Sequence, residues 1–239
     1  MKKYLLLLLC AGFAVTGFSQ ETIKRNKEKI DLSNRPNDHL LLQLGIANWK
    51  DIPDTINKSG LSKSINAYFM FDFPFKSNPK LSIALGPGIA SDHILFTKTY
   101  IGIRDMANTI RFTNVSDTNH YKKTKLATVY LEAPVELRFS SNPLTGNGFK
   151  AAIGVKIGTL INAHTRNVKL QDRDNKELND FVLKESSKNF FNKNRLSVMG
   201  RLGYGHITLF TSYSLTPVFR DGTGPVVRPY TIGLTLSGL

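Results

Sequence analysis

Residues 128–140 alternate between apolar and polar positions. Val129, Leu131, Ala133, Val135, Leu137 and Phe139 fall on one parity, and Thr128, Tyr130, Glu132, Pro134, Glu136 and Arg138 on the other. A β-strand has a side-chain period of two, so this stretch forms one greasy face and one face with three charges. Seven further segments repeat the pattern. Leu40, Leu42, Leu44 and Ile46 alternate with Leu41, Gln43, Gly45 and Ala47. Ile65, Ala67, Phe69, Phe71, Phe73 and Phe75 alternate with Asn66, Tyr68, Met70, Asp72 and Pro74. Leu81, Ile83, Leu85 and Ile89 alternate with small residues, as do Phe149, Ile153, Val155 and Ile157 with Lys150, Gly154, Lys156 and Gly158. Shorter runs follow at Leu196–Leu202, Ile207–Tyr213 and Tyr230–Leu236, with Phe210 on the polar side of its run. Segments of about ten residues with this alternation are what transmembrane β-strands present.

The connections alternate in length. Residues 50–64, 98–123, 164–194 and 216–227 are long and polar, whereas 76–80, 141–148 and 203–205 are short and rich in Gly, Pro and Asn. An up-and-down outer-membrane barrel has this arrangement, with long loops outside and short turns in the periplasm. The expected fold is therefore all-β: an eight-stranded antiparallel transmembrane barrel over residues 39–239. Its polar face carries Asp72, Glu132, Glu136, Arg138, Lys150, Lys156 and Arg201. A barrel of this size is just wide enough for side chains to fill, so these charges are expected to form a lumenal ion-pair network. Turning the faces round would set them against lipid, at roughly 2–4 kcal/mol for each mid-membrane Lys or Arg. Tyr68, Phe75, Phe139, Phe149, Tyr204 and Tyr230 fall near expected strand ends, where aromatic girdles form.

Before the first strand, Lys2 and Lys3, a short leucine run and small residues at Gly17 and Ser19 make a secretory signal peptide over residues 1–19. Residues 20–38 are polar and aperiodic, a periplasmic N-terminal tail. Cys10 is the sole cysteine, preceded by the bulky Leu9. Within a discarded signal it leaves the mature chain without disulfide or thiol chemistry. The formal charge of +14, less Lys2 and Lys3, leaves +12. In an exported chain this points to lipid or lipopolysaccharide phosphates rather than to nucleic acid, the alternative being solvated loops that carry ordinary lysines. Arg104, Arg111, Lys122 and Lys123, in one long connection, are the expected lipopolysaccharide contacts.

Four stretches carry a family likeness: residues 34–45 (NRPNDHLLLQLG) with Trp49, 68–75 (YFMFDFPF), 130–138 (YLEAPVELR) and 229–234 (PYTIGL). With them the chain resembles the PorT-like outer-membrane β-barrel family. The resemblance implies an eight-stranded barrel placed by the barrel insertion machinery, with no catalytic residues and, in one branch, an accessory role in type IX secretion. Leu239 stands where such barrels often carry a terminal aromatic residue.

Candidate chemistry is sparse. His206, Ser212 and Ser214 share one face of a strand, and a Ser–His pair on a barrel could hydrolyse an envelope lipid ester. The five histidines lack zincin spacing, and residues 172–177 match a calcium loop only in its first three positions. No cofactor or metal is implied. The reading is a monomeric, non-enzymatic envelope protein, structural or interacting, that serves as an accessory of export or surface assembly. The alternatives are a barrel enzyme acting on envelope lipids, a narrow pore, and a soluble periplasmic lipocalin-like barrel with Phe69, Phe71 and Phe73 inside.

Overall fold

The computed structural model describes residues 39–54, 56 and 58–238. The expected signal peptide at 1–19 and the tail at 20–38 lie outside the described residues, as does Leu239. The strands are β1 (Leu40–Lys50), β2 (Lys63–Phe69), β3 (Phe71–Pro74), β4 (Leu81–Leu85), β5 (Gly88–Phe96), β6 (Thr99–Ile101) and β7 (Phe112–Asn114). They continue with β8 (His120–Ser140), β9 (Phe149–Gln171), β10 (Glu177–Ser186), β11 (Asn194–Tyr204), β12 (Ile207–Ser214) and β13 (Arg228–Ser237). There is no helix among the described residues.

Antiparallel pairing runs in the order β9-β11-β12-β13-β1-β2-β5-β8, and β8 pairs back onto β9, so the sheet closes on itself. Closure joins the first and last strands from Leu41↔Ser237 to Lys50↔Arg228. Each strand of this ring has a paired neighbour on both sides, as lipid requires, since an unpaired backbone group there would cost several kcal/mol; among the described residues β3 pairs with β4 alone.

The apolar parity faces outward. Leu44, Ile65, Phe71, Phe73, Ile89, Leu137, Ile153, Ile157, Leu209 and Leu234 are all exposed, Ile153 at 66%. The opposite parity is buried and largely polar, with Gln43, Asn66, Glu132, Glu136, Lys156 and Thr235 at 4% exposure or less. Phe69, Phe71 and Phe73 lie outside, so the lipocalin-like arrangement is not the one adopted. The outward positions of β8 are apolar from Phe139 to Val129, about 33 Å of strand. At a usual tilt of about 40° that covers roughly 25 Å of height, the apolar band a membrane barrel needs.

Two expectations need correction. The run from Ile65 to Phe75 is not one strand but β2 and β3, interrupted at Met70, and the run from Leu81 to Ile89 divides into β4 and β5. The cause lies in the prolines. Pairing of β8 to β5 stops at Glu132↔Gly88 and resumes to β4 at Val135↔Leu85, so Pro134, without an N–H, stands beside the gap at Gly86 and Pro87. The Phe69 N–H donates to the Pro87 carbonyl at 2.9 Å across the break. Side-chain alternation survives, because Tyr68 and Met70 remain buried between exposed Phe69 and Phe71.

The second correction concerns the long connections. Residues 164–194 are not a plain solvated loop. β9 has 23 residues, about 75 Å of strand at the usual rise, and it runs well beyond the apolar band. There it turns into β10, which pairs with β9 alone among the named strands. Residues 98–123 contain the β6–β7 hairpin and the start of β8. Inside the loop end, Ile101, Ile103, Ile110, Phe190, Phe191, Val218, Phe219 and Val227 pack with Trp49, Phe96, Leu126 and Leu160 from the strands. The rings of Phe96 and Phe219 meet Trp49 edge-on at 5.7 and 5.8 Å. This end is capped as a soluble protein's core is packed, apolar side in.

Val155, midway between Phe149 and Ile161 on the outward face of β9, gives a direct test. Val155→Lys is expected to lower the unfolding free energy of the lipid-reconstituted barrel by roughly 2–4 kcal/mol. Leu178→Lys, on exposed β10, is expected to change it by less than about 0.5 kcal/mol. Urea titration followed by Trp49 fluorescence measures both.

Candidate functional site in the lumen

Glu132 sits at the centre of the lumen. β8 points it inward, and Gly158 on facing β9 leaves it room: a Cβ there would lie 2.8 Å from Glu132 Cγ. Arg195, at the start of β11, donates to Glu132 Oε1 from Nε at 2.9 Å and from Nη2 at 2.5 Å. Its Nη1 donates to Asp92 Oδ2 on β5 at 2.5 Å. The guanidinium also lies over the Tyr130 ring, 3.9 Å from its centroid. Tyr68 on β2 donates its hydroxyl to Glu132 Oε2 at 2.6 Å, and Lys156 Nζ stands 3.8 Å from the same oxygen. The Tyr68 ring lies against Gly88, where a Cβ would fall 2.2 Å from Tyr68 Cδ1.

A second cluster lies four residues along β8, toward the short turns. Glu136 Oε2 accepts from Arg138 Nε at 2.7 Å and from Arg201 Nη2 at 2.6 Å. Arg138 Nη1 is 3.9 Å from Asp72 Oδ1, and Arg201 Nη1 donates to Thr208 at 3.4 Å. Lys150, half-buried at the turn end of β9, lines the same cavity as Asp72, Arg138 and Arg201. A neutral chain fills the opposite wall: Asn66 donates to Gln43, and Gln43 to Thr235. Phe210, on the polar parity, is buried at 1% exposure beside Gly45 and Gly233. The cavities beside the two clusters measure about 40 and 10 Å³, room for a few waters at most.

The fold thus divides the seven charges expected in the lumen between two clusters, Glu132 with Lys156, and Glu136 with Arg138, Arg201, Asp72 and Lys150 nearby. Sequence reasoning missed Arg195 and Asp92. Both have lumen parity, Arg195 with Ser197 and Arg201, Asp92 with Ala84 and Ala90. Each lies just beyond the apolar run used to delimit its strand, and extending the parity two residues finds them. Tyr68 was expected in an aromatic girdle; it is 2% exposed and belongs to the ion-pair centre. Phe139, Phe149 and Tyr204 do lie together on the outer face at the turn end, with Tyr204 paired to Phe149.

The other candidates are dispersed. Arg104 and Arg111 are exposed around the β6–β7 hairpin, and Lys122 and Lys123 are exposed on opposite faces of β8. His206 Nδ1 meets the Ser237 carbonyl at 2.9 Å in the turn before β12, whereas Ser214 ends that strand and donates to the Thr216 carbonyl. The length of β12 separates them, so they make no Ser–His pair. Asp172 Oδ1 accepts from the Asp174 and Lys176 amides and so shapes a turn with its carboxylate.

A closed sheet with a lipid-facing apolar band and a buried, ion-paired interior defines an integral β-barrel membrane protein. The chain belongs to the outer membrane protein beta-barrel domain family, whose model matches residues 11–220, and its place is accordingly the outer membrane. Among solved structures it is similar to Ail, the attachment invasion locus protein of Yersinia pestis, at 11% identity and a TM-score of 0.34, over 83% of this chain and 94% of that one. A second structure of Ail, in complex with the heparin analogue sucrose octasulfate, matches at 8% identity with the same score and coverage. No curated protein matches the chain.

Arg195 joins two buried carboxylates. Arg195→Met leaves Glu132 and Asp92 buried without it, and is expected to cost about 3–5 kcal/mol of unfolding free energy in lipid vesicles. Lys123→Met, on the exposed end of β8, is expected to cost less than about 0.5 kcal/mol in the same titration.

Proposed function

We propose that the protein is a monomeric, non-enzymatic outer-membrane anchor. It presents its loop-end hairpins to a protein or surface partner, as an accessory of export or surface assembly. The observation that carries this reading is the double closure of the barrel. Ion pairs fill the lumen, and an apolar cluster fills the loop end. A closed barrel transports nothing, so its contribution lies in what it holds outside the bilayer. The β9–β10 hairpin stands beyond the apolar band and exposes Leu178, Phe181, Val182 and Leu183, apolar side chains with no lipid to cover them. In this reading the short turns face the periplasm, the hairpins face outward, and the chain reaches the membrane through a cleaved signal and the insertion machinery.

Kinship with the PorT-like branch is part of the proposal. It rests on the sequence 131–134 (LEAP), whose glutamate is the acceptor at the centre of the lumen and whose proline stands beside the strand break, and on the closing 229–233 (PYTIG).

Three experiments test the reading. Outer-membrane fractions run unboiled on a denaturing gel are expected to give a faster band than boiled ones, and planar bilayers holding the purified protein are expected to show no conductance steps. Crosslinking in intact cells is expected to yield a protein partner that is lost when Phe181 and Leu183 are replaced by Ser. Discrete conductance steps, or a protein that is soluble and shows no heat shift, would contradict it.

A further inference from the structure

The outer face of the barrel changes character just past its apolar band. Lys125, four residues beyond Val129 on the outward parity of β8, pairs directly with Arg166 on β9, and Arg166 pairs with Lys184 on β10. Three like charges on adjacent strands at opposed positions stand about 5 Å apart at their Cβ atoms and repel one another. On this face no carboxylate stands in the neighbouring rows; Glu185, next to Lys184, has the opposite parity and pairs with Thr165. The same row continues to Leu95 on β5; the row toward the membrane reads His93, Ala127, His164 and Ser186, and the row beyond reads Lys123, Val168 and Val182.

Beside this row lies a groove of about 310 Å³ lined by Leu61, Lys63, Ile65, His93, Leu95 and Lys125. Ile65 belongs to the lipid-facing band, so the floor of the groove is continuous with the hydrocarbon surface and its rim is basic. Ser91 Oγ, 2.8 Å from His93 Nε2, adds a hydroxyl at the lower edge.

We propose that this row is a binding site for the phosphate groups of membrane lipids. Lys125, Arg166 and Lys184 are the phosphate ligands, and the groove between Ile65 and Leu95 receives the adjoining apolar portion of the lipid. The placement argues for a lipid in the abutting leaflet rather than a free anion. The charges sit within about 10 Å of height above the last outward apolar residue of β8, at headgroup level, and long Lys and Arg stems reach down to it. Phosphate oxygens supply the counter-charge that the protein lacks in these rows, and an Arg flanked by two lysines suits them. The site therefore differs from the collar of Arg104, Arg111 and Lys122 that composition alone suggests, although Lys123 shares its face.

The inference rests on the membrane reading, and its test separates the two. The full chain is refolded into phosphatidylcholine vesicles that hold trace spin-labelled phosphatidic acid or spin-labelled phosphatidylcholine, and the motionally restricted fraction of each probe is measured. Wild type is expected to prefer phosphatidic acid. The triple variant Lys125→Gln, Arg166→Gln, Lys184→Gln, with an unchanged heat shift, is expected to lose at least about fivefold of that preference, the effect of one basic residue near a charged surface. The triple variant Arg104→Gln, Arg111→Gln, Lys122→Gln is expected to keep it. No preference in wild type, or an equal loss in both variants, would overturn the proposal. A protein that restricted neither probe would contradict the membrane reading itself.

Discussion

Charges held out of both water and lipid must find one another, and the barrel is built around that requirement. A buried carboxylate or guanidinium without a partner costs several kcal/mol. Glu132 on β8 meets this constraint through β11, β2 and β9, by way of Arg195, Tyr68 and Lys156, and Arg195 extends it to β5 through Asp92. One set of contacts thus ties together strands from opposite walls. It also fixes register. A slip of one residue in β8 would carry Glu132, Glu136 and Arg138 from the lumen to the lipid face. The small residues follow from the same demand, since Gly158 makes room for the Glu132 side chain and Gly88 for the Tyr68 ring.

Above the ion pairs the chemistry reverses. The loop end closes with an apolar cluster around Trp49, Phe191 and Phe219, so the protein has two interiors: a polar one within the bilayer and an apolar one beyond it. Each is the inverse of its surroundings, polar inside lipid and greasy inside water. What remains outside is the pair of hairpins β6–β7 and β9–β10. The second continues the barrel wall outward, because β9 is a single strand from the short turn to its far tip. In the proposed role this continuity carries the surface of the hairpin beyond the bilayer.

Much of this was legible in the sequence. Period-two alternation gave the class of fold and the sense of its faces, and the alternating connection lengths gave an up-and-down meander. Charges inside an apolar run, such as Glu132, Glu136, Arg138 and Lys156, were readable as lumenal because only one parity was apolar. Arg195 and Asp92 were not, because the apolar run ends before the lumen does. The cap was hidden for a different reason. Ile101, Ile103, Ile110, Phe190 and Phe219 are scattered through polar stretches and become a core only when the ring closes. The break at Met70 was equally silent, since the alternation passes through it unchanged and the prolines beside it, Pro87 and Pro134, lie elsewhere in the chain.

The central claim is the assignment of faces, and site-directed spin labelling tests it most directly. In a Cys10→Ser background, positions 153 to 158 of β9 are replaced one at a time by labelled cysteine, and the reconstituted barrel is probed with oxygen and with a water-soluble nickel chelate. The account predicts that labels at 153, 155 and 157 are accessible to oxygen and not to nickel, as groups in lipid are. Labels at 154, 156 and 158 should be shielded from both, or fail to fold where they displace Gly154, Lys156 or Gly158. Nickel access at the odd positions, or oxygen access confined to the even ones, would mean that the apolar face does not lie in the membrane.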